Sequence, residues 1–300
     1  MELRIASRGS KLSLAQVEEV MGYLKNVIDS VKYKIVIVKT RGDVVLDKPL
    51  YEIGGKGLFE KEVNKAVLEG RADIAVHSMK DLPTRIHDDL EIALVPPRLD
   101  PRDSLIPKPP GGTIEGIPPN SIVGTSSLRR IALLKYYNKG IVIRDIRGNI
   151  DTRLRKLTEG RYDYLVLAEA GLRRLSIGLD RSPLPIERFP PAPGQGLLAV
   201  VAIKGSRIAK LLRKYSDKVS HSSAIAERAF LRYSGAGCNT PVGGITLSKG
   251  NGLLKFIGVV LSRDGSRAYW IHGEGDLSRP EELGKRVGEE AYSVIDRVAL

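Results

Sequence analysis

His77-Ser78-Met79-Lys80-Asp81-Leu82-Pro83 places a carboxyl group beside an ammonium, just after the apolar run Asp73–Val76. A carboxyl that gives and takes a proton is a general acid–base group. Strand ends in α/β sheets face the ligand crevice, so Lys80 and Asp81 are well placed for chemistry. The same two residues are also what a solvated loop pair looks like. Gly124-Thr125-Ser126-Ser127-Leu128-Arg129-Arg130 follows a second apolar run and opens a helical pattern. A helix start of this kind offers N–H donors and a positive dipole end to an anion. Arg129 and Arg130 would add forked carboxylate or phosphate binding. An ordinary N-cap by Thr125 or Ser126 with surface arginines gives the same letters. The segment from Arg144 to Arg153 repeats the pattern of strand end, glycine, polar cap and helix start, and Gly171-Leu172-Arg173-Arg174 ends another helix. Each arginine alone reads as a helix-face charge. Three such segments at successive strand-to-helix transitions suggest several carboxylates bound in one cleft.

Gly235-Ala236-Gly237-Cys238-Asn239-Thr240-Pro241-Val242-Gly243-Gly244 puts the only thiol in a glycine-rich turn. A lone cysteine is most often a small buried hydrophobe. A turn this free of bulk lets the sulfur approach something large, which favours a reactive or covalently modified thiol. One cysteine excludes an internal disulfide, and histidines 77, 87, 221 and 272 lack metal-ligand spacing. Gly54-Gly55-Lys56-Gly57 lacks the Lys-Ser or Lys-Thr of a phosphate-binding loop and reads as a flexible feed into a helix. Residues 41–56 read as a mobile lid.

These segments need elements to hold them. Leu3–Ser7, Tyr33–Val38, Asp73–Val76 and Ile92–Val95 read as strands, alternating with helices over residues 12–24, capped by Ser10, and 58–68. Strands at 122–123, 141–146 and 164–167 and helices at 126–137, 150–157 and from 168 repeat the theme. Of 17 prolines, six lie in 96–110 and five in 183–193, and both clusters read as extended linkers. Leu197–Ile203 then reads as a strand that returns to complete the first lobe. The expected fold class is α/β, with two lobes joined by two hinge crossings and a cleft between them. A helix at 222–233, three strands between 244 and 273 and a helix at 280–298 predict a small α+β C-terminal domain. The expected domains are 1–97 with 195–216, then 98–194, then 217–300.

The chain resembles the porphobilinogen deaminase (hydroxymethylbilane synthase) family. The resemblance rests on Arg4-Ile5-Ala6-Ser7-Arg8-Gly9-Ser10, Gly54-Gly55-Lys56-Gly57-Leu58-Phe59, residues 75–81, Val123–Arg130, Arg147-Gly148-Asn149, Pro193-Gly194-Gln195-Gly196 and the Cys238 loop. It implies two lobes like those of type II periplasmic binding proteins plus a third domain. The implied reaction condenses four porphobilinogen molecules head to tail into the linear tetrapyrrole hydroxymethylbilane, with release of ammonia. A dipyrromethane cofactor, built from substrate, is implied on Cys238 through a thioether.

By this resemblance Asp81 is catalytic. Lys80, Ser78, Thr125, Ser126, Ser127, Arg129, Arg130, Arg147 and Gly148 join it in binding the cofactor. Arg8, Ser10, Gln16, Lys56, Phe59, Arg153, Ala170, Arg174 and Gln195 bind substrate. Each pyrrole carries an acetate and a propionate, so a growing chain needs many fixed cations, and arginine stays charged and grips carboxylates in a fork. Lys11 replaces a proline common in the family, which touches only a helix start. Glu52 replaces a lysine of some relatives, which puts a cationic role for that loop in doubt.

The net charge of +13 suits an anionic partner. Residues 122–174 carry nine Arg and three Lys against five acids, a net +7, so the excess concentrates where the carboxylates are expected. The rival class is a hinged anion- or nucleic-acid-binding protein without chemistry. It accounts for the charge and the lobes, but not for Asp81 beside Lys80 or for the thiol in its glycine turn. With 5% aromatic residues, base stacking is disfavoured. The chain begins directly in a strand pattern, and no apolar run approaches a membrane span. A cytoplasmic monomer is expected, without metal, nucleic acid or membrane.

Overall fold

The structure, a computed structural model, describes residues 2–40, 60–236 and 240–298. Its chain divides into two units, Met1–Leu99 with Gly196–Ala224, and Asp100–Gln195 with Ile225–Leu300.

The first unit is built on a five-stranded sheet. β1 (Glu2–Ser7) leads through α1 (Lys11–Val27) to β2 (Lys32–Ile37), and α2 (Lys61–Leu68) leads to β3 (Ile74–Ser78) and β4 (Leu90–Leu94). Val17, Val20, Met21 and Leu24 form the buried stripe of α1. That spacing is the 3.6-residue repeat of a helix lying on a sheet. Ser10 caps α1, its hydroxyl accepting from Ser13 N at 3.2 Å. Gly70 ends the turn after α2 with φ +68°, a left-handed conformation that glycine adopts freely. Alternate strand residues feed opposite cores: Leu3, Ile5 and Ile74 join one cluster, Ala6 and Ala75 the other. Both faces are covered, which is why these strands read as continuous apolar runs.

With β10 (Leu198–Ile203), the sheet order is β2-β1-β3-β10-β4. β1 pairs parallel with β2 and β3, while β10 lies antiparallel between β3 and β4. The returning strand expected at 197–203 thus completes this sheet. α6 (Arg207–Arg213) follows it.

The second unit repeats the plan. β5 (Asp103–Ile106) and β6 (Ile122–Gly124) precede α3 (Leu128–Tyr137), β7 (Val142–Arg144), α4 (Ile150–Thr158), β8 (Tyr164–Ala168), α5 (Glu169–Arg174) and β9 (Ser182–Pro183). The order is β7-β6-β8-β5-β9, with β6 parallel to β7 and β8, and β5 antiparallel to β8 and β9. In each sheet the antiparallel strand beside the parallel three is the one that follows a passage from the other unit.

Two sequence expectations change here. The proline cluster at 96–110 is not wholly a linker, because β5 runs through it. Pro101 and Pro107 flank the strand rather than interrupt it, and all four strand residues are buried. The second cluster also contributes, since Pro183 pairs at the sheet edge, a place where the missing N–H is tolerated. The helix expected from Ser126 starts at Leu128, and Ser127 rather than Thr125 or Ser126 is its cap.

The rest of the chain comprises α6 (Arg207–Arg213), α7 (Lys218–Tyr233), β11 (Val242–Gly250), β12 (Leu253–Leu261), β13 (Ala268–Asp276) and α8 (Pro280–Val298). The last three strands form an antiparallel sheet, β11-β12-β13. Its far face joins the core of the second unit, where Val259 and Leu261 cluster with Leu133 and Phe189.

α7 and α8 approach closely because Gly284 and Gly288 offer no Cβ. A Cβ at Gly284 would collide with the Ala226 carbonyl, and one at Gly288 would lie 2.9 Å from the Phe230 carbonyl. Backbone cannot yield as a flexible side chain does, so overpacking here is costly. Gly284→Leu is expected to lower stability by ~3 kcal/mol. Denaturant unfolding checks this, and an unchanged midpoint would contradict the packing.

Candidate active site

In the first unit, the parallel pairing of β1 and β3 sets Ala6 opposite Ala75. Their C-terminal ends therefore carry Arg8–Ser10 and Ser78–Asp81 to the same edge of the sheet. A short 3-10 turn, Met79–Asp81, follows β3. Met79 is buried at 2% exposure and its N–H donates to Leu197 O at 3.0 Å, so the turn is pinned from below. Asp81 is exposed and Lys80 half-buried. Gln16, buried on α1, donates to Ser78 Oγ at 3.3 Å, so two expected ligands already touch. Ser10 serves as the helix cap. Beside this turn, buried His77 hydrogen-bonds Asn64 Oδ1 at 2.9 Å, and burial pulls its pKa to about 4. It stays neutral at ordinary pH.

In the second unit, the parallel strands β6, β7 and β8 bring three loops to one edge. The three hydroxyls after β6 have separate tasks. Thr125 Oγ1 accepts from Ser127 N at 3.2 Å, and Ser126 Oγ donates to Ile146 O at 2.7 Å while accepting from Ile146 N at 3.1 Å. Ser127 caps α3 by accepting from Arg130 N. These bonds lock the loop after β6 to the loop after β7.

The second loop turns at Gly148, whose φ is +107° and whose Cβ would lie 2.9 Å from Thr152. Only glycine fits both the conformation and the space. Gly148 O accepts from Arg153 Nε at 2.8 Å. Burial, then the neighbouring cations Arg130 and Arg147, lower the Arg153 pKa to about 10, although Asp145 opposes them. Arg130, Arg147 and Arg153 therefore form one cluster of like charge. Ala170, buried, and Arg174, the last residue of α5, lie beyond β8.

Arg129 and Arg130 are not surface arginines; they are 5% and 8% exposed. Arg129 donates to Asp103 Oδ2 at 2.7 Å and to Pro190 O at 2.9 Å. Arg130 donates to Asp103 Oδ1 at 2.6 Å and to Val166 O at 2.8 Å. Gln195 Nε2 donates to the same Asp103 Oδ1 at 2.8 Å and to Pro101 O at 2.7 Å. Asp103 is wholly buried; burial alone would raise its pKa, yet the two arginines hold it well below the usual carboxylate range.

Sequence reasoning missed Asp103 because it sat in an assumed linker. The available signal was the adjacent arginine pair, which needs an anion if buried. It also missed Glu169, where Ser104, Arg173 and Arg181 all donate to one carboxylate. Burial opposes, but hydrogen bonds from Arg181, Ser104 and Arg173 pull Glu169 to about 2.

That shift has a pH consequence. A carboxylate depressed from 4.5 to about 2 stabilises the fold above its unfolded value, and the contribution is lost as pH falls toward 2. Glu169→Gln is expected to be less stable than the parent at neutral pH and to lose less stability between pH 4.5 and 2. Denaturation midpoints across that range check it; parallel curves would contradict the assignment.

Lys56, Phe59, Cys238 and the expected lid lie outside the described residues. The strand after the cysteine loop is described, and it reaches the arginine pair. A Cβ on Gly243 would lie 2.6 Å from Pro190 O and 3.2 Å from Arg129 Cδ, and Gly244 N donates to Pro191 O at 2.9 Å.

The fit to a polycarboxylate group can be tested on these atoms. The Nε–H groups of Arg129, Arg130 and Arg147 are buried with no hydrogen-bond partner among the described residues. Unmet buried donors are costly, and a bound carboxylate is the acceptor they suit. Among the described residues no His, Cys, Asp and Glu group could hold a metal ion.

Two family models match the chain. "Porphobilinogen deaminase, dipyromethane cofactor binding domain" covers residues 3–210, and "Porphobilinogen deaminase, C-terminal domain" covers 222–293. A probable porphobilinogen deaminase of Hyperthermus butylicus is 51% identical over 95% of this chain and 94% of its own. One of Aeropyrum pernix is 44% identical over 99% of this chain and 97% of its own.

Proposed function

The chain belongs to the porphobilinogen deaminase family, and from that premise we propose which of its residues carry the reaction. The family's enzymes are transferases with a dipyrromethane cofactor, and their substrate is porphobilinogen. Four substrate molecules join head to tail, ammonia leaves at each step, and hydroxymethylbilane is the product.

In this reading Asp81 is the general acid and base. Its carboxyl protonates the aminomethyl nitrogen of porphobilinogen, the C–N bond breaks and ammonia leaves. The carboxylate that remains stabilises the cationic methylene-pyrrole. After the new C–C bond forms, the same carboxylate takes the α-proton and is reset. Lys80 and Ser78 hold and orient groups beside it, with Ser78 fixed by Gln16.

Arg130, Arg147 and Arg153, with Arg129, Arg8 and Arg174, bind acetate and propionate groups. The carrying observation is the cluster of Arg130, Arg147 and Arg153 at the strand ends, with buried Nε donors left on two of them. Cys238 holds the dipyrromethane through a thioether, and the bound group supplies the pyrrole carbon to which the first substrate is joined. Gly148 holds the loop that carries Arg147; Thr125, Ser126 and Ser127 brace the loop before Arg129. Lys56, Phe59, Ser10, Ala170 and Gln195 complete the substrate set.

We further propose three domains, 1–97 with 195–216, 98–194 and 217–300. The break between the two family matches, after 210 and before 222, supports the last boundary. The working state is a monomer in the cytoplasm, independent of metal and nucleic acid. No helix among the described residues is long and apolar enough to cross a membrane.

The test is stoichiometry. Purified protein given porphobilinogen is expected to release one ammonia per substrate consumed and to accumulate a linear tetrapyrrole. Binding of porphobilinogen without ammonia release would favour the non-catalytic anion-binding class.

A further inference from the structure

Arg129 and Arg130 share one carboxylate. A buried ion pair is by itself weak evidence for stability, because desolvation offsets much of the attraction. Here two guanidinium groups, 5% and 8% exposed, meet a single fully buried Asp103. Each is fixed in plane by two acceptors: Asp103 with Pro190 O for Arg129, and Asp103 with Val166 O for Arg130. Arg129 also lies 5.7 Å over the Phe189 ring. Both Nε–H groups remain without a partner among the described residues. The pair is thus held rigidly while keeping one unit of positive charge and two donors unspent.

The same hub reaches the strand that follows the cysteine loop in sequence. Pro190 O, which accepts from Arg129, lies against Gly243, and Pro191 O accepts from Gly244 N. Gly243 is five residues after Cys238. Gln195 ties the other end of the 190–195 segment to Asp103 at 2.8 Å. One carboxylate therefore fixes the two arginines, the turn over residues 190–195 and, through that turn, the strand that follows the cysteine loop in sequence.

We propose that Asp103 is a positioning residue for cofactor assembly: it touches no ligand and acts by holding Arg129 and Arg130 in the geometry that receives the carboxylates of the cofactor. This rests on the reading of those arginines and of Cys238 given above.

The experiment uses full-length chain produced without porphobilinogen, so that it starts unloaded. Porphobilinogen is added and the gain of two pyrrole units is followed by intact mass, alongside thermal midpoints and kcat and KM of loaded protein. Asp103→Asn keeps the shape and removes the charge. Loading is expected to slow by about 10²-fold, the scale of a misplaced binding group. Arg129→Gln is expected to slow loading similarly, and Asp103→Asn with Arg129→Gln to lose less than the product of the two single losses, because part of what Asp103 does passes through Arg129. The double variant removes one anion and one cation, so it keeps the proposal testable should Asp103→Asn fail to fold. Loading of Asp103→Asn at the parent rate would overturn the proposal. So would a double variant whose losses multiply, since that means Asp103 acts independently of Arg129. A parent chain that folds yet never gains pyrrole mass would instead sink the reading beneath it.

Discussion

Asp81→Asn is expected to keep the fold and nearly all substrate affinity while losing ~10²–10⁴ of turnover, the usual contribution of a general acid–base group. The fold should survive because Asp81 is exposed in a turn held by Met79. Surface changes of this size usually stay within about 0.5 kcal/mol. Affinity should survive because the carboxylates of porphobilinogen are assigned to arginines, and Asn keeps the volume of Asp. What disappears is the proton. An amide cannot protonate the leaving nitrogen or collect the α-proton later, and His77 cannot substitute, since burial keeps it neutral with a pKa near 4 and Asn64 occupies its Nε2. The expected pattern is therefore a large drop in kcat with KM within a few-fold of the parent. Near-parental kcat would remove Asp81 from the chemistry. A large rise in KM alone would make it a binding residue.

Cys238→Ala is expected to abolish multiple turnover altogether. A thioether needs a sulfur nucleophile, and the sequence contains one cysteine. Serine or threonine hydroxyls nearby, such as Thr240, ionise far less readily than a thiol and cannot take over at neutral pH. The variant should fold, because the turn is rich in glycine and alanine fits wherever cysteine does. Its mass should equal the bare polypeptide even after prolonged exposure to porphobilinogen. A Cys238→Ala chain that still gains two pyrrole units would place the attachment on another residue.

Much of the scaffold was legible in the sequence. The stripe of Val17, Val20, Met21 and Leu24 and the cap at Ser10 are local facts, fixed by helical spacing and a hydroxyl before it. The C-terminal helix runs from Pro280 to Val298, the span its periodicity predicts. The return of residues 198–203 to the first sheet follows from chain economy and a strongly apolar run. β5 was not legible. Asp103-Ser104-Leu105-Ile106 has no period, carries two polar residues and is flanked by prolines. It is a strand because β8 and β9 supply its hydrogen-bond partners from about sixty to eighty residues away.

The site divides along the same line. Which segments carry it was readable, because strand end, glycine and helix start are contiguous. How its residues are spent was not. Ser126 is taken by Ile146, twenty residues on, which leaves the cap to Ser127. Arg129 and Arg130 look like exposed charges until Asp103 is seen beside them. The net +7 of residues 122–174 is accordingly not one uniform field. Part of it answers Asp103 inside the protein, and in the proposed reading Arg147, Arg153 and the surplus charge of the arginine pair bind ligand carboxylates.

The central claim is that this chain works with a dipyrromethane joined to Cys238. Intact mass of the purified parent protein, followed by mapping of the modified peptide, tests it most directly. The expected mass exceeds that of the bare sequence by two pyrrole units, carried wholly on the peptide containing Cys238. A folded, catalytically competent protein whose mass equals the bare polypeptide would contradict it.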